Sequence, residues 1–266
     1  MIGGRNAGAT RFCRRSMNVP AYLARIGYSG PTDPSPETLR QLQVAHLFTV
    51  PFENLDIYLG RKIACDEERF LHKIIQLRRG GFCYELNGAF AALLRALGFH
   101  VTLLSARVSR EDGTASAEFD HLALRVVLEK PWLADVGFGD SFLEPLRLET
   151  EEEQEERTGR TYRIVKVGDV CIVQRKLDVA IWKPQYQFTL QPHRLEDFEA
   201  RCVYQQTSPE SHFTRQRICT LATPDGRITL SDLKWIKTVH GQRTEQMLKD
   251  EEEWRKALSE YFGIRL

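Results

Sequence analysis

The stretch Arg78-Arg79-Gly80-Gly81-Phe82-Cys83-Tyr84-Glu85-Leu86-Asn87-Gly88 constrains this chain more than any other. Two glycines free the backbone for a sharp turn. Leu86, Phe90, Leu93, Leu94 and Leu97 then recur on one helical face. A helix therefore opens at Cys83, and the sulfur, three residues before Leu86, falls on the buried stripe. A helix N-terminus presents free N–H groups and partial positive charge, so a thiol there is expected to ionise more readily than a free one. A nucleophilic thiolate needs a base and a group that orients the base. Two downstream residues fit those needs: His121 in Asp120-His121-Leu122, and Asp135 in Ala134-Asp135-Val136-Gly137-Phe138-Gly139.

The 266 residues suffice for one large domain or two to three small ones. A formal net charge of +1 provides no field for nucleic acid or an acidic partner. The longest apolar runs, such as Ala89 to Leu94, fall far short of a membrane span. Six cysteines contain no Cys-x-x-Cys pair and follow no signal peptide, which points to reduced thiols in the cytoplasm and to no metal site. The pair Arg14-Arg15 is not followed by the uninterrupted apolar region that export requires.

Four segments follow in order. Residues 1–16, with Arg5, Arg11, Arg14 and Arg15 and no acid, read as a disordered basic arm. Residues 17–98 read as helical, with apolar repeats over Val19 to Ile26, Glu37 to Leu47 and Glu67 to Leu77 before the Cys83 helix. Residues 99–193 switch to a period of two, predicting strands at His100–Val108, Asp120–Leu128, Trp132–Val136, Tyr162–Val167, Val170–Lys176, Asp178–Trp182 and Tyr186–Leu190. Many short strands at close spacing imply a small barrel or sandwich, interrupted by a solvated acidic loop from Glu149 to Glu156. Residues 194–266 read as a helix over Arg194–Tyr204, a hairpin about Pro224-Asp225-Gly226, a further strand at Leu233–Val239 and a terminal helix from Thr244 to Tyr261.

Leu122, Leu124, Val126 and Leu128 face one side of their strand, so His121 faces the other. Hairpin pairing with the next strand places Asp135 on the face of His121. The imidazole then takes the Cys83 proton while the carboxylate fixes the tautomer. Taken singly, each residue has an ordinary reading: a small buried hydrophobe, a satisfied strand histidine, a turn aspartate. Their joint occurrence in the order Cys, His, Asp, at intervals of 38 and 14, favours a catalytic triad.

With these residues the chain closely resembles the arylamine N-acetyltransferase family. The resemblance is carried by Tyr22-Leu23-Ala24-Arg25-Ile26-Gly27-Tyr28, Val50-Pro51-Phe52-Glu53-Asn54-Leu55, Arg79-Gly80-Gly81-Phe82-Cys83-Tyr84-Glu85-Leu86-Asn87, Asp120-His121-Leu122, the Asp135 motif and Ser211-His212-Phe213-Thr214. It implies an α+β fold with an N-terminal helical bundle, a central β-barrel and a C-terminal α/β lid around a cysteine-protease/transglutaminase-like core. It further implies a double displacement through an acetyl-Cys83 thioester, with acetyl-coenzyme A as donor and an arylamine, arylhydrazine or hydrazide as acceptor. His121 is then the base and Asp135 its orienter; Phe52 and Phe138 line the acceptor slot, and Gly139, His212, Phe213 and Thr214 lie along the coenzyme path. Glu53 and Arg79 are expected to form a buried pair bracing the Cys83 loop. The basic arm and the acidic insertion depart from the family pattern. A macrolactam-forming amide synthase, a transglutaminase-like hydrolase of the same fold, and a catalytically silent aromatic-binding module remain as alternatives.

Overall fold

The computed structural model describes residues 17–266; the expected arm at 1–16 lies outside the described residues. The first third contains α1 (Val19–Arg25), α2 (Pro36–Thr49), α3 (Leu55–Tyr58), α4 (Glu67–Leu71) and α5 (Cys83–Ala96). Local chemistry sets several of the starts. Asn18 accepts the Ala21 N–H at 3.0 Å, Ser35 that of Thr38 at 3.1 Å and Asp66 that of Arg69 at 2.8 Å; each satisfies an otherwise orphan donor. The helix expected over Glu67–Leu77 is present, but α4 runs into a π-helical turn, His72–Gln76, that directs Lys73 inward. Helix α5 is buried on every side from Cys83 to Leu94, not on one stripe alone. It is the central core helix, and its Leu86 and Phe90 share a cluster with Leu122, Leu124 and Val126.

The turn before α5 needs its glycines for close approach rather than for positive φ. A Cβ on Gly80 would lie 1.8 Å from the Pro51 carbonyl oxygen, and one on Gly81 would lie 2.6 Å from a Glu85 carboxylate oxygen.

The middle third forms one antiparallel sheet from β2 (His100–Val108), β3 (His121–Val127), β4 (Pro131–Ala134), β5 (Leu146–Arg147), β6 (Gln154–Glu155), β7 (Thr161–Val167), β8 (Val170–Asp178) and β9 (Ile181–Phe188). In an earlier numbered segment, β1 (Phe52–Glu53) had no counterpart in the sequence reading. The strand order β5-β4-β3-β2-β9-β8-β7-β6 curls the sheet into a nearly closed barrel. At the seam between β5 and β6 the Gln154 amide accepts from Arg147 N at 2.7 Å and donates to Arg147 O at 3.1 Å. One side chain thus takes the place of a strand pairing. Leu104, Ala123, Leu133 and Tyr186 fill the interior.

Two expectations change here. The strands expected at 178–182 and 186–190 are one strand, β9, running through Pro184. The register slips there, with Val173 opposite Tyr186 and Gln174 opposite Pro184, so Gln185 is the extra residue of a bulge that accommodates a proline without an N–H. The acidic stretch is not wholly solvated either. Glu156 is buried and accepts the Leu143 N–H at 2.6 Å, and burial pushes its carboxyl up.

The last third holds a 3-10 turn (Leu195–Phe198), α6 (Glu199–Thr207), α7 (His212–Arg215), β10 (Ile218–Thr223), β11 (Gly226–Ser231), β12 (Lys234–Val239), β13 (Gln242–Met247) and α8 (Glu251–Phe262). The expected terminal helix begins late, because Thr244–Met247 belong to β13. His240 at φ 48° and Gly241 at φ 80° turn β12 back on itself, and Asp250, accepting from Glu252 N and Glu253 N at 2.9 Å, starts α8. The sheet order is β1-β10-β11-β12-β13, with Phe52 opposite Thr220 and Glu53 opposite Cys219. A two-residue strand of the bundle is therefore the edge of the lid sheet.

Candidate active site

Cys83 is the first residue of α5 and is buried, its Sγ 3.9 Å from the Asp120 carbonyl oxygen. His121 opens β3 immediately after that carbonyl. The β3–β4 register pairs Leu124 with Ala134. Continued one step, it sets Asp135 opposite Ala123, on the face that His121 shares two residues away. The carboxylate reaches across this diagonal, and Asp135 Oδ2 lies 2.7 Å from His121 Nε2.

The second carboxylate oxygen is held as firmly. Asp135 Oδ1 accepts from Asn87 Nδ2 and from Gly137 N, both at 2.8 Å, while Asp135 N donates to Gln43 Oε1 at 3.1 Å. Asn87 also donates to Leu122 O at 2.6 Å and accepts from Val136 N at 2.9 Å. Burial alone would raise the Asp135 carboxyl, but the His121 ring and these donors outweigh it and hold the group below the ordinary aspartate value. Asn87 and Gln43 were given no role by the sequence reading. Asn87 had a usable signal, since four residues after Cys83 on a helix is the same face; Gln43, midway along α2, had none. Gly137 is required by packing, because a Cβ there would meet Asn87 Nδ2 at 2.7 Å and Cys83 Cα at 2.8 Å.

The thiol departs from expectation. Burial pushes Cys83 well above the ordinary cysteine value; a backbone hydrogen bond from Leu122 opposes this, and the Asp120 and Asp135 charges reinforce it. An ionised sulfur in this setting needs a cationic neighbour created with it.

Cys83 and His121 open into a cavity of about 660 Å³, which Phe52, Phe138, Gly139, His212 and Phe213 also line. Asp135 stands behind His121, off the cavity wall. The Phe138 ring meets His121 edge-on at 5.2 Å, and Phe52 lies 6.0 Å from Phe213. Thr214 is the expected residue that the structure does not bring to the cavity. Its hydroxyl donates back to Ser208 O at 2.7 Å and Ser211 O at 2.9 Å, closing the turn into α7. At the opposite wall Arg201 Nε lies 2.6 Å from Asp120 Oδ1, fastening α6 beside the histidine.

A thiol at the start of a core helix and the His121–Asp135 pair of the barrel thus meet at one aromatic-lined cavity. The N-acetyltransferase family model matches residues 35–266. The arylamine N-acetyltransferase of Escherichia coli K12 is 35% identical over 247 residues, covering 91% of this chain and 87% of that protein. The arylamine N-acetyltransferase structure from M. tuberculosis superposes with a TM-score of 0.86 at 32% identity, covering 93% of this chain and 94% of that one. A Mycobacterium marinum arylamine N-acetyltransferase solved in complex with CoA matches with a TM-score of 0.85 at 31% identity, covering 93% of each chain. The chain belongs to the arylamine N-acetyltransferase family.

Among the described residues, no helix is long and apolar enough to cross a membrane.

Proposed function

We propose that this protein transfers the acetyl group of acetyl-coenzyme A to the nitrogen of arylamines, arylhydrazines or hydrazides by double displacement through Cys83. The observation that carries the reading is the joint opening of the Cys83 thiol and the Asp135-held His121 imidazole into one aromatic-lined cavity. His121 takes the thiol proton as the sulfur attacks the acetyl carbonyl; the C–S bond to coenzyme A breaks, and the departing thiolate takes that proton from the imidazolium. The amine then attacks the Cys83 thioester, gives a proton to His121 and leaves with the acetyl group, while the sulfur returns to the thiol. The Cys83 backbone N–H, in the first turn of α5, is the donor for the developing oxyanion in this reading. Phe52 and Phe138 offer an apolar slot to a neutral aromatic amine, which needs no further activation. The cavity wall at Gly139, His212 and Phe213 is the route for the coenzyme's pantetheine arm. The chemistry is that of a reduced thiol, consistent with a cytoplasmic setting.

The test is intact mass after mixing with acetyl-coenzyme A alone, followed by aniline. One acetyl adduct that the amine discharges is expected. No adduct on the folded, reduced protein, or an adduct lost only to water, overturns the transferase reading.

A second expectation concerns the base. With His121→Ala the buried thiol has no proton acceptor, so alkylation of Cys83 at neutral pH falls by about 10²–10⁴-fold. Because burial raises the thiol, the remaining reactivity climbs with increasing pH well past the ordinary cysteine range. Iodoacetamide kinetics against pH check both points.

A further inference from the structure

Behind the nucleophile lies a second set of ionisable groups to which the acetyl-transfer reading gives no role. Lys73 Nζ, from the π-helical turn, lies 2.7 Å from Glu85 on α5, 2.8 Å from Asp56 on α3 and 3.7 Å from Glu53 on β1. Arg79 lies 2.7 Å from Glu53 and 3.2 Å from Asp56. All five residues are buried. Three carboxylates against two cations leave one uncompensated negative charge in a low-dielectric interior, and such a group lowers its energy by keeping a proton. The surrounding ionisable groups do not cancel it. Arg61 reaches Asp56 only at 3.8 Å and is largely exposed, and Cys219, from the lid sheet, lies close enough to feel Glu53 and Arg79 but is held neutral by burial.

The proton belongs at Glu85. Glu53 and Asp56 each face both cations, whereas Glu85 faces Lys73 alone. Burial pushes the Glu85 carboxyl up to about 7 against the pull of Lys73, with Glu53 and Asp56 adding to the rise. Solvent has a way in, because a second cavity of about 460 Å³ is lined by Lys73, Asp56, Arg79 and Glu85, and its outer wall carries charges of both signs, Arg61, Lys62 and Arg69 against Asp66 and Glu68, with His72 beside them. Glu85 also touches the catalytic turn. Its Oε2 accepts the Phe82 N–H at 3.1 Å, one residue before the nucleophile, while Oε1 holds Lys73.

We propose that Glu85 is a positioning residue for Cys83, and that gain or loss of a single proton in this buried group loosens or tightens the Phe82–Cys83 turn. In the charged form Glu85 anchors the Phe82 N–H with a full carboxylate; in the acid form that acceptor is weaker and the turn is less firmly held. Folding is linked to the same proton. The folded value lies above the ordinary 4.5, so the native state binds more protons between about 4.5 and about 7, and the Glu85 contribution to stability falls as pH rises through that window.

The inference rests on Cys83 being the nucleophile, but its test uses alkylation, which needs no acyl donor and so succeeds or fails apart from acetyl transfer. Iodoacetamide labelling of the Cys83 peptide is followed by mass spectrometry in the wild type and in Glu85→Gln between about pH 5.5 and 9. The amide imitates the acid form. The ratio of wild-type to variant rates is expected to be near one at the acid end and to climb about tenfold, the size of a lost hydrogen bond to a charged group, with a midpoint near 7. Whatever the two proteins share cancels in the ratio. A flat ratio overturns the proposal. Should Glu85→Gln not fold, infrared spectroscopy of Glu156→Gln, which removes the other glutamate that burial raises, gives the answer. A buried carboxylic acid band that fades as pH rises through about 7 supports the proposal, and its absence on the acid side overturns it.

Discussion

Cys83→Ala is expected to abolish the acetyl adduct formed with acetyl-coenzyme A and to lower arylamine acetylation by at least about 10⁴-fold, the scale on which covalent catalysts lose rate with their nucleophile. The substitution should leave the fold nearly untouched. Cys83 contributes one small sulfur to the wall of a cavity, and the bonds that shape the site run among Asn87, Asp135, His121 and Gly137 instead. Unchanged thermal stability with loss of the adduct is therefore the expected pattern, read by intact mass and by thermal denaturation of the same sample. Three of the other cysteines provide a control. Cys171, Cys202 and Cys219 are buried away from the cavity lining, so an adduct that persists in the variant would place the chemistry on a different residue and remove Cys83 from its role.

Arg79→Met is expected to cost about 3–5 kcal/mol, because it strips the main cation from Glu53 and leaves a buried carboxylate facing Lys73 only at 3.7 Å. For a chain of this size that is a fall in Tm of roughly 6–20 °C. Acetylation should fall with it, since Glu53 N donates to the Gly81 carbonyl at 2.9 Å and so fixes the turn that leads into Cys83. The deficit should be larger at mildly alkaline than at mildly acidic pH, because burial raises the Glu85 carboxyl of the same group to about 7, and with its proton in place less negative charge faces the missing cation. Calorimetry at two pH values, with the acetylation rate measured alongside, checks the set. A variant with the wild-type Tm and rate would show that Arg79 braces nothing.

What could be read in the sequence was whatever depends on local period or on chemical type. Cys83 at a helix start, His121 on the barrel-facing side of its strand and Asp135 on the shared face all follow from spacing, and the Glu53–Arg79 pair was suggested by two opposite charges inside the motifs that carry the family resemblance. Features that depend on pairing distant segments were not legible. Nothing near Phe52 announces a two-residue strand whose partner lies at Thr220. Pro184 looked like a gap between strands because a bulge is a property of the ladder, not of the strand that carries it. Glu156 looked solvated because its partner, the Leu143 N–H, lies 13 residues back. The sharing of two cations among three carboxylates was equally hidden, since Lys73 sits in an ordinary helical pattern and turns inward only through the π-helical turn.

The strand Phe52–Glu53 faces two ways. One residue lines the cavity, the next enters the buried charge group, and both lie in register with β10. The C-terminal sheet is therefore not a flap hinged on an otherwise finished core; its first rung supports the Cys83 turn. Amide hydrogens at Glu53 and in β10 should exchange in one cooperative opening with those of the Cys83 turn, and a chain cut after the barrel would lose the brace of that turn along with its cover.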